Sequence, residues 1–194
     1  MKTIYIERSV GQRRDGDWVE RLDLDGVGRI VVGTGPGSFA GIRSAIAFAQ
    51  GYALGRPCEV LGLPSPCAVA AKVYEREGER GKRRMGSCRL AVVGDARCGK
   101  LWIALFDGFD LEREVFQVDK AEISSAFDNL PGEPCRVVTS DEERIGNLLG
   151  EVFGERYIGG ETPDADGLRL FAEANPSILR PEPLPIYLNP AVRG

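Results

Sequence analysis

A glycine-rich segment near the start of the chain is the part of the sequence best suited to bind a small anion. It runs Gly33-Thr34-Gly35-Pro36-Gly37-Ser38, between an apolar run that predicts a strand and a region that predicts a helix. Such a turn leaves free backbone N–H groups at the positive end of a helix dipole, where anions bind. The segment matches neither a Walker loop nor G-x-G-x-x-G. We therefore favour a helix start with Ser38 as its N-cap, and a ligand-binding turn is the alternative.

The composition excludes several classes of catalytic site. The chain of 194 residues contains no His, which excludes Ser-His-Asp catalysis, Cys-His catalysis and the H-E-x-x-H zinc site. Its five Cys residues include no C-x-x-C pair, so they predict free thiols rather than a zinc site or a disulfide framework. The residues by themselves assign no catalytic residue and no metal ligand.

Charge and hydropathy predict a cytoplasmic protein that does not bind nucleic acid by itself. The 25 basic and 29 acidic residues give a net charge of −4, which is unlike an autonomous nucleic-acid-binding protein. The basic segment at 72–89 predicts a solvated helix end and loop, and a patch for tRNA or nucleotide phosphates is the alternative. No apolar run approaches the ~20 residues of a membrane span, and early charges at Glu7 and Arg8 argue against a signal peptide.

The second half of the sequence predicts an ordered series of strands and helices. Three strands are predicted at 90–93, 100–107 and 112–118, with a short Gly-containing hairpin between the first two. Apolar residues at helical spacing over 121–130 and 145–153 predict two helices, and a third is predicted at 164–174. They alternate with strands at 137–139 and 157–158. Ser140-Asp141-Glu142-Glu143 predicts a capping box that begins the middle helix. This β-β-β-α-β-α-β-α order is typical of a ribonuclease-H-like lobe.

The first half predicts a shorter form of the same lobe. Candidate strands lie at 3–7, 18–24, 29–33 and 60–61, and helices at 38–54 and 65–77, with no room for a helix between residues 24 and 29. We therefore predict an α/β protein with a shortened N-terminal lobe (1–78), a basic interlobe linker (79–89) and a C-terminal lobe with a Pro-rich tail (90–194). The tail has too many prolines for an interior strand, because proline has no N–H to donate.

The helix predicted after the glycine-rich turn has a wide apolar face of mostly small residues. Its members recur at three- and four-residue spacing, and they are Ile42, Ala45, Ile46, Ala49 and Ala53. Phe48 and Tyr52 form a second stripe. We favour burial of this face against the protein's own sheet, and an exposed surface for a partner or a second copy is the alternative.

Three segments, in order along the chain, resemble the signature of the bacterial TsaB (YeaZ) family. They are Gly35-Pro36-Gly37-Ser38-Phe39-Ala40-Gly41-Ile42-Arg43, Asp95-Ala96-Arg97-Cys98-Gly99-Lys100-Leu101-Trp102 and Pro185-Ile186-Tyr187-Leu188-Asn189-Pro190, in which Asn189 stands for the family's Arg. The resemblance implies a two-lobed, actin-like (ASKHA, ribonuclease-H-like) fold. Glu7 and Arg8 replace the family's opening Asp and Thr, and the family's first long helix is absent. Arg8 is a candidate phosphate contact.

The resemblance also implies a function and a set of site residues. It implies a non-catalytic subunit of the complex that forms N6-threonylcarbamoyladenosine at position 37 of ANN-decoding tRNAs, paired with the catalytic subunit TsaD and the ATPase TsaE. The tRNA would be contacted only through that complex. The helix implied to contact TsaD carries Phe39, Ile42, Ala45, Ile46, Ala49, Tyr52 and Ala53, and the motif residues that would face a ligand are Gly35, Pro36, Gly37, Ser38, Gly41, Arg43, Asp95 and Arg97.

Other functions stay open at this point. No metal and no cofactor is assigned, and a nucleotide in the cleft between the lobes is an alternative. A homodimeric actin-like module and an ATP-dependent enzyme of the same fold are the alternative functions. The enzyme rests on fold analogy, which by itself does not establish function. The homodimer rests on the small-residue face between Ile42 and Ala53, which would suit a helix that crosses its symmetry mate.

Overall fold

The computed structural model describes residues 1–10, 18–80, 89–130, 134 and 136–188. Within these residues, nine strands and five α-helices form two sheets and the layers that cover them. The elements of the first half are β1 (Lys2–Ile6), β2 (Val27–Gly33), α1 (Phe39–Ala53), β3 (Glu59–Leu63) and α2 (Ser65–Arg80). Those of the second half are β4 (Arg89–Arg97), β5 (Lys100–Asp107), β6 (Asp110–Asp119), α3 (Ile123–Asp128), β7 (Arg136–Thr139), α4 (Glu142–Phe153), β8 (Tyr157–Gly160), α5 (Ala165–Ala174) and β9 (Arg180–Pro181).

The second half forms the predicted lobe. Its sheet has the order β6-β5-β4-β7-β8, in which β4, β5 and β6 are antiparallel and β7 and β8 run parallel to β4. Apolar strand residues such as Val93 and Ile103 pack with the apolar faces of α3 and α4. The predicted strand and helix order of this half is therefore confirmed, and we call this sheet with α3, α4 and α5 the second lobe.

The first half differs from the prediction at residues 18–24. This segment contains a short 3-10 helix (Val19–Arg21) instead of a strand. Trp18 packs edge-on against Phe48 of α1, with ring centroids 5.3 Å apart, and Leu22 packs in the same cluster. The strand prediction is wrong because these apolar residues cover α1 rather than extend the sheet. Among the described residues, β1 therefore pairs with β2 alone, and in parallel.

The sheet of the first half has the order β1-β2-β3-β9. Its last strand comes from the tail: β9 pairs antiparallel with β3, at an edge where the prolines of the tail are tolerated. We call this sheet with α1 and α2 the first lobe. The domain boundaries at residues 78 and 89 stay predictions.

The two lobes share one hydrophobic core. α2 packs on α5, and their buried side chains join those of β3, β4 and β5 in a single cluster. The two helices approach closely at Gly167, where a Cβ atom would overlap the main chain of Ala68. The two sheets are therefore held together by packed side chains as well as by the chain connections.

The basic segment predicted at 72–89 lies partly outside the described residues, since 81–88 are not among them. The described cations at its start are engaged with the second lobe. Lys72 Nζ lies 2.8 Å from Glu161 Oε1 and 2.7 Å from Asp164 Oδ2, and Arg76 Nη1 lies 3.0 Å from Glu161 Oε2. These two cations thus connect α2 to the segment before α5. In the part of the chain that the structure describes, no helix is long and apolar enough to span a membrane.

Candidate functional site

A cavity of about 790 Å³ lies between the two lobes, and the three family-like segments meet in its wall. The glycine-rich turn, the β4–β5 hairpin and the tail all contribute, together with the loop that follows β7. Of the motif residues singled out in the sequence, the lining includes Pro36, Gly37, Ser38, Phe39, Asp95 and Arg97, and does not include Gly35, Gly41 or Arg43. Residues from distant parts of the sequence therefore form one site.

The glycine-rich turn is built as a helix start. Ser38 is the N-cap of α1, and its hydroxyl oxygen accepts a hydrogen bond from Gly41 N at 3.3 Å. Gly35 has a φ of +87°, which favours glycine, and its N–H donates to Ser65 Oγ at 3.0 Å. A Cβ atom at Gly37 would overlap the main chain of Ser9. The interpretation that Ser38 caps the helix and that the glycines allow close packing is therefore confirmed.

Glu7 and Arg8 do not line the cavity, although Ser9 and Val10, which follow them, do. Glu7 Oε1 accepts a hydrogen bond from Ser9 N at 2.6 Å, whereas Glu7 Oε2 is buried without a hydrogen-bond partner. The Arg8 guanidinium stacks on the ring of Trp18, 4.8 Å from its centroid, and Arg8 is not part of the cavity lining. Arg8 Nε is buried without a hydrogen-bond partner, and the interpretation of Arg8 as a phosphate contact stays a prediction.

Glu7→Gln is expected to change the pH dependence of stability. Burial raises the pKa of Glu7, and hydrogen bonds from Ser9 and Ser65 oppose this only in part. The folded state then binds the proton more tightly than the unfolded state. In the unfolded chain the pKa of Glu7 is taken as 4.5. As the pH rises above this value, the charged form begins to lower the free energy of unfolding, and the loss is complete once the pH exceeds the raised pKa of Glu7 in the folded protein. As the pH rises above 4.5, we expect the free energy of unfolding of the wild type to fall relative to that of the Glu7→Gln variant.

Urea unfolding at a series of pH values measures this difference. The exposed Glu155 gives a matched control, since Glu155→Gln makes the same chemical change in a short helical turn at the surface. Parallel stability curves for wild type and Glu7→Gln across this range would contradict the assigned role of burial at Glu7.

Asp95 is the centre of a charged cluster in the second-lobe wall. Its side chain is only 9% exposed and lies 3.1 Å from Lys120 Nζ. The guanidinium groups of Arg97 and Arg144 lie 3.9 and 3.7 Å from its Oδ2 atom. Asp141, from the loop after β7, accepts a hydrogen bond from Asp95 N at 2.9 Å. The cluster therefore joins the hairpin to the start of α4.

This contact explains why the predicted capping box is absent. The helix α4 begins at Glu142 with Asp141 as its N-cap, and neither Ser140 nor Asp141 makes the predicted side-chain cap. The prediction is wrong because the cap position falls one residue later, at Asp141, and the Asp141 carboxylate accepts a hydrogen bond from Asp95 N instead of capping the helix. Burial raises the pKa of Asp141, and the negative charge of Asp95 acts in the same direction.

The charges of this wall are mixed. Asp95, Asp141, Glu142 and Glu143 line the cavity with Arg97 and Arg144. The described ranges contain no group of three or more His, Cys, Asp or Glu side chains that could hold a metal ion. The arrangement can hold the β4–β5 hairpin against the loop that follows β7. It leaves both acidic and basic side chains at the cavity surface.

The structure corrects the residues predicted to contact a partner on α1. Ile42, Ala45, Ile46 and Ala49 are at most 6% exposed and pack against β1 and β2 of the same chain. They are wrong as partner contacts, because their side chains already fill the core of the first lobe. Phe39 is 58% exposed and Tyr52 and Ala53 are partly exposed, so these three stay predictions.

The exposed face of α1 carries a different set of residues. Small or polar side chains follow one another at helical spacing on this face, and they include Ala40, Arg43, Ser44, Ala47, Gln50 and Gly51. Sequence reasoning missed this set because alanine and serine differ too little in hydropathy from the small residues of the buried face. The spacing Ala40, Ser44, Ala47 and Gly51 was the available signal.

Comparisons with known proteins support the family resemblance. A protein family described as "TsaD: tRNA N6-adenosine threonylcarbamoyltransferase" matches residues 20–108. The "tRNA threonylcarbamoyladenosine biosynthesis protein TsaB" of Escherichia coli (strain K12) is 32% identical over 81 residues, which are 42% of this chain and 32% of that protein. The matched part therefore spans about a third of the length of this curated relative.

Two solved structures have the same fold. YeaZ from Pseudomonas aeruginosa superposes with a TM-score of 0.70 at 20% identity, over 96% of this chain and 99% of that chain. A second structure, described as an uncharacterized protein with similarity to peptidase YeaZ from Pseudomonas aeruginosa, gives a TM-score of 0.69 at 17% identity, again over 96% and 99%. The predicted fold class is therefore confirmed.

Proposed function

We propose that this chain, whose similarities support the TsaB family, takes part in the biosynthesis of N6-threonylcarbamoyladenosine on tRNA. The observation that carries the proposal is the convergence of the three family-like segments on one cavity. Residues near positions 37, 96 and 187 are far apart in the sequence but line the same wall. The similarity to the curated protein of this pathway supports the same conclusion.

Within this pathway we propose a non-catalytic role, in a complex that modifies position 37 of ANN-decoding tRNAs in the cytoplasm. The family resemblance assigns catalysis to the TsaD subunit, whose metal site is built on His. A chain without any His lacks that chemistry. The partners proposed are a TsaD-type subunit and a TsaE-type ATPase, and tRNA is reached through them.

The exposed face of α1 is the surface we propose for the TsaD-type partner. Ala40, Ser44 and Ala47 leave the helix backbone accessible to a second helix, since small side chains allow a short interaxial distance. Larger apolar groups stand at the two ends of this face, where Phe39 is 58% and Leu54 is 79% exposed. We expect Phe39 and Leu54 to add apolar contacts at the two ends of the interface.

Ala47→Arg is expected to weaken the complex with the TsaD-type subunit by at least about tenfold, because a long charged side chain would separate the two helices. Sedimentation velocity of the two purified chains from the same source, alone and mixed, measures this. Ala121→Arg is the matched control, because Ala121 is also exposed but lies in the second lobe, before α3.

Each outcome has a distinct meaning. A complex that forms equally well with Ala47→Arg would show that α1 is not the contact surface. Two unchanged species in the wild-type mixture would contradict the proposed complex and favour the other functions. Calorimetry with Mg-ATP would then separate an ATP-binding enzyme, which releases heat, from a homodimeric module, which does not.

A further inference from the structure

The Pro-rich tail closes part of the cavity between the lobes. After β9 the chain passes beside β3, where a Cβ atom at Gly62 would overlap Pro183. It then contributes three consecutive residues to the wall of the cavity, namely Ile186, Tyr187 and Leu188. We call residues 182–188 the strap, because they run from the sheet of the first lobe to this wall.

Few main-chain bonds hold the strap in place. In the described part of the tail, its one hydrogen bond to the main chain of the rest of the protein is donated by Ile186 N to Thr34 O, at 2.9 Å. Three of the five residues at 181–185 are proline, which has no N–H to donate. Glu182 has a φ of +55°, which is unfavourable for a residue with a Cβ atom. The strap is therefore held less firmly than β9, which pairs with β3.

The side-chain contact of the strap with the first lobe lies at the surface. The Tyr187 ring centroid is 5.6 Å from that of Phe39, and the Arg43 guanidinium lies over the same Phe39 ring. Phe39 and Tyr187 are 58% and 56% exposed, so this stack is accessible to solvent. Phe39 is also the first residue of α1. Opening of the strap would thus change one end of the exposed α1 face as well as the cavity wall.

The cavity that the strap helps to close contains a buried aromatic side chain of the second lobe. Trp102 of β5 lines this cavity but is only 3% exposed. A Cβ atom at Gly94 would overlap its ring, so the indole is held against β4. Leu188 of the strap packs against the shared core to which Trp102 belongs. Access of small solutes to Trp102 therefore reports on the position of the strap.

We propose that the strap is a lid that opens by local unfolding while β9 and both lobes stay folded. Segments with few buried contacts and few hydrogen bonds open at a lower free energy than the core that supports them. The strap has both properties, whereas the lobes share one core. Opening removes the three strap residues from the cavity wall and admits solvent to the charged wall around Asp95. The strap therefore controls entry to the cavity.

Native-state hydrogen exchange of the full chain, followed by NMR, measures this opening. The reference is Val31 N–H in β2, a strand that is paired on both sides. We expect Ile186 N–H to be protected, with a protection factor at least about 100-fold lower than that of Val31 N–H. Equal protection of the two groups would overturn the proposal, because the strap would then open only with the whole protein. Unprotected exchange of Ile186 N–H would also overturn it, because the strap would then not close.

Acrylamide quenching of Trp102 fluorescence tests whether the strap closes the cavity. A Trp18→Phe background leaves Trp102 as the only Trp of the chain. Tyr187→Ala removes one ring of the contact, and Phe39→Ala removes the other. Because either change favours the open strap, each is expected to raise the quenching constant by about twofold or more.

Leu184→Ala is the matched control, since Leu184 belongs to the strap but is 76% exposed and does not line the cavity. It is expected to leave the quenching constant unchanged. Circular dichroism establishes that each variant is folded, and Phe39→Ala keeps the test decisive if Tyr187→Ala does not fold. A folded Tyr187→Ala protein with the wild-type quenching constant would overturn the proposal, and so would an equal rise with Leu184→Ala. The proposal does not rest on the proposed function, since no partner is present in these experiments.

Discussion

Ala49→Arg is expected to lower the free energy of unfolding by about 4 kcal/mol or more, or to prevent folding of the first lobe. Ala49 is fully buried, in a cluster with Ile30, Val32 and Ile46. An Arg side chain has no space there, and its charge would have neither water nor a carboxylate beside it. The expected cost is therefore a sum of overpacking and of burying an unpaired charge.

The matched control lies two residues away on the same helix. Ala47 is exposed, so Ala47→Arg is expected to change the free energy of unfolding by less than about 0.5 kcal/mol. Urea unfolding followed by circular dichroism measures both variants. An Ala49→Arg protein as stable as the wild type would mean that the apolar face of α1 is not packed against the sheet.

This pair of variants also separates folding from partner binding. Loss of a complex with Ala49→Arg would not locate an interface, because the variant disturbs the core. Loss of the complex with Ala47→Arg, in a protein of normal stability, would locate it. The periodicity of α1 correctly predicted an apolar face. It could not decide what covers this face, because the same apolar residues would be needed for packing on the chain's own sheet and for binding to a partner.

The second lobe was predictable because its signals are local. The hairpin between β4 and β5 follows from a short Gly-containing link, and the alternation of helices and strands follows from the change of period. The capping box predicted at Ser140 is absent for a reason that is not local. The carboxylate of Asp141 has a competing partner in Asp95 N, which lies 46 residues away in the sequence, and the fold alone brings the two together.

The first lobe was less predictable for a related reason. Residues 18–24 contain enough apolar residues for a candidate strand, but a strand also needs a neighbour with free backbone groups. Trp18 and Leu22 gain more contact by covering α1, so the segment leaves the sheet. The candidate site shows the same difference between local and non-local features. The three motifs are continuous segments and could be identified in the sequence. The cluster of Asp95, Lys120 and Arg144 could not, because only the fold brings these residues together.

Phe171→Ala is expected to lower the free energy of unfolding by about 3–5 kcal/mol, as is typical for removal of a buried aromatic ring. Phe171 of α5 is fully buried. Its ring centroid lies 5.8 Å from that of Phe106 and 5.4 Å from that of Phe109. These rings belong to the cluster that also contains Leu63 of the first lobe. The cavity left by the substitution would thus weaken the contact between the lobes as well as the second lobe itself.

Because this core is shared, both lobes are expected to unfold in one transition that Phe171→Ala moves as a whole. The chain has two Trp residues, Trp18 in the first lobe and Trp102 in the second, so Trp18→Phe and Trp102→Phe backgrounds report on each lobe by fluorescence. Phe39→Ala is the control, since Phe39 is 58% exposed and its removal is expected to cost less than about 1 kcal/mol. If Phe171→Ala shifted only the Trp102 signal, the lobes would be independent units. Coincident shifts of both signals would mean instead that one common core fixes the position of the two lobes relative to each other. The three motifs that line the cavity would then be held at fixed positions by that core.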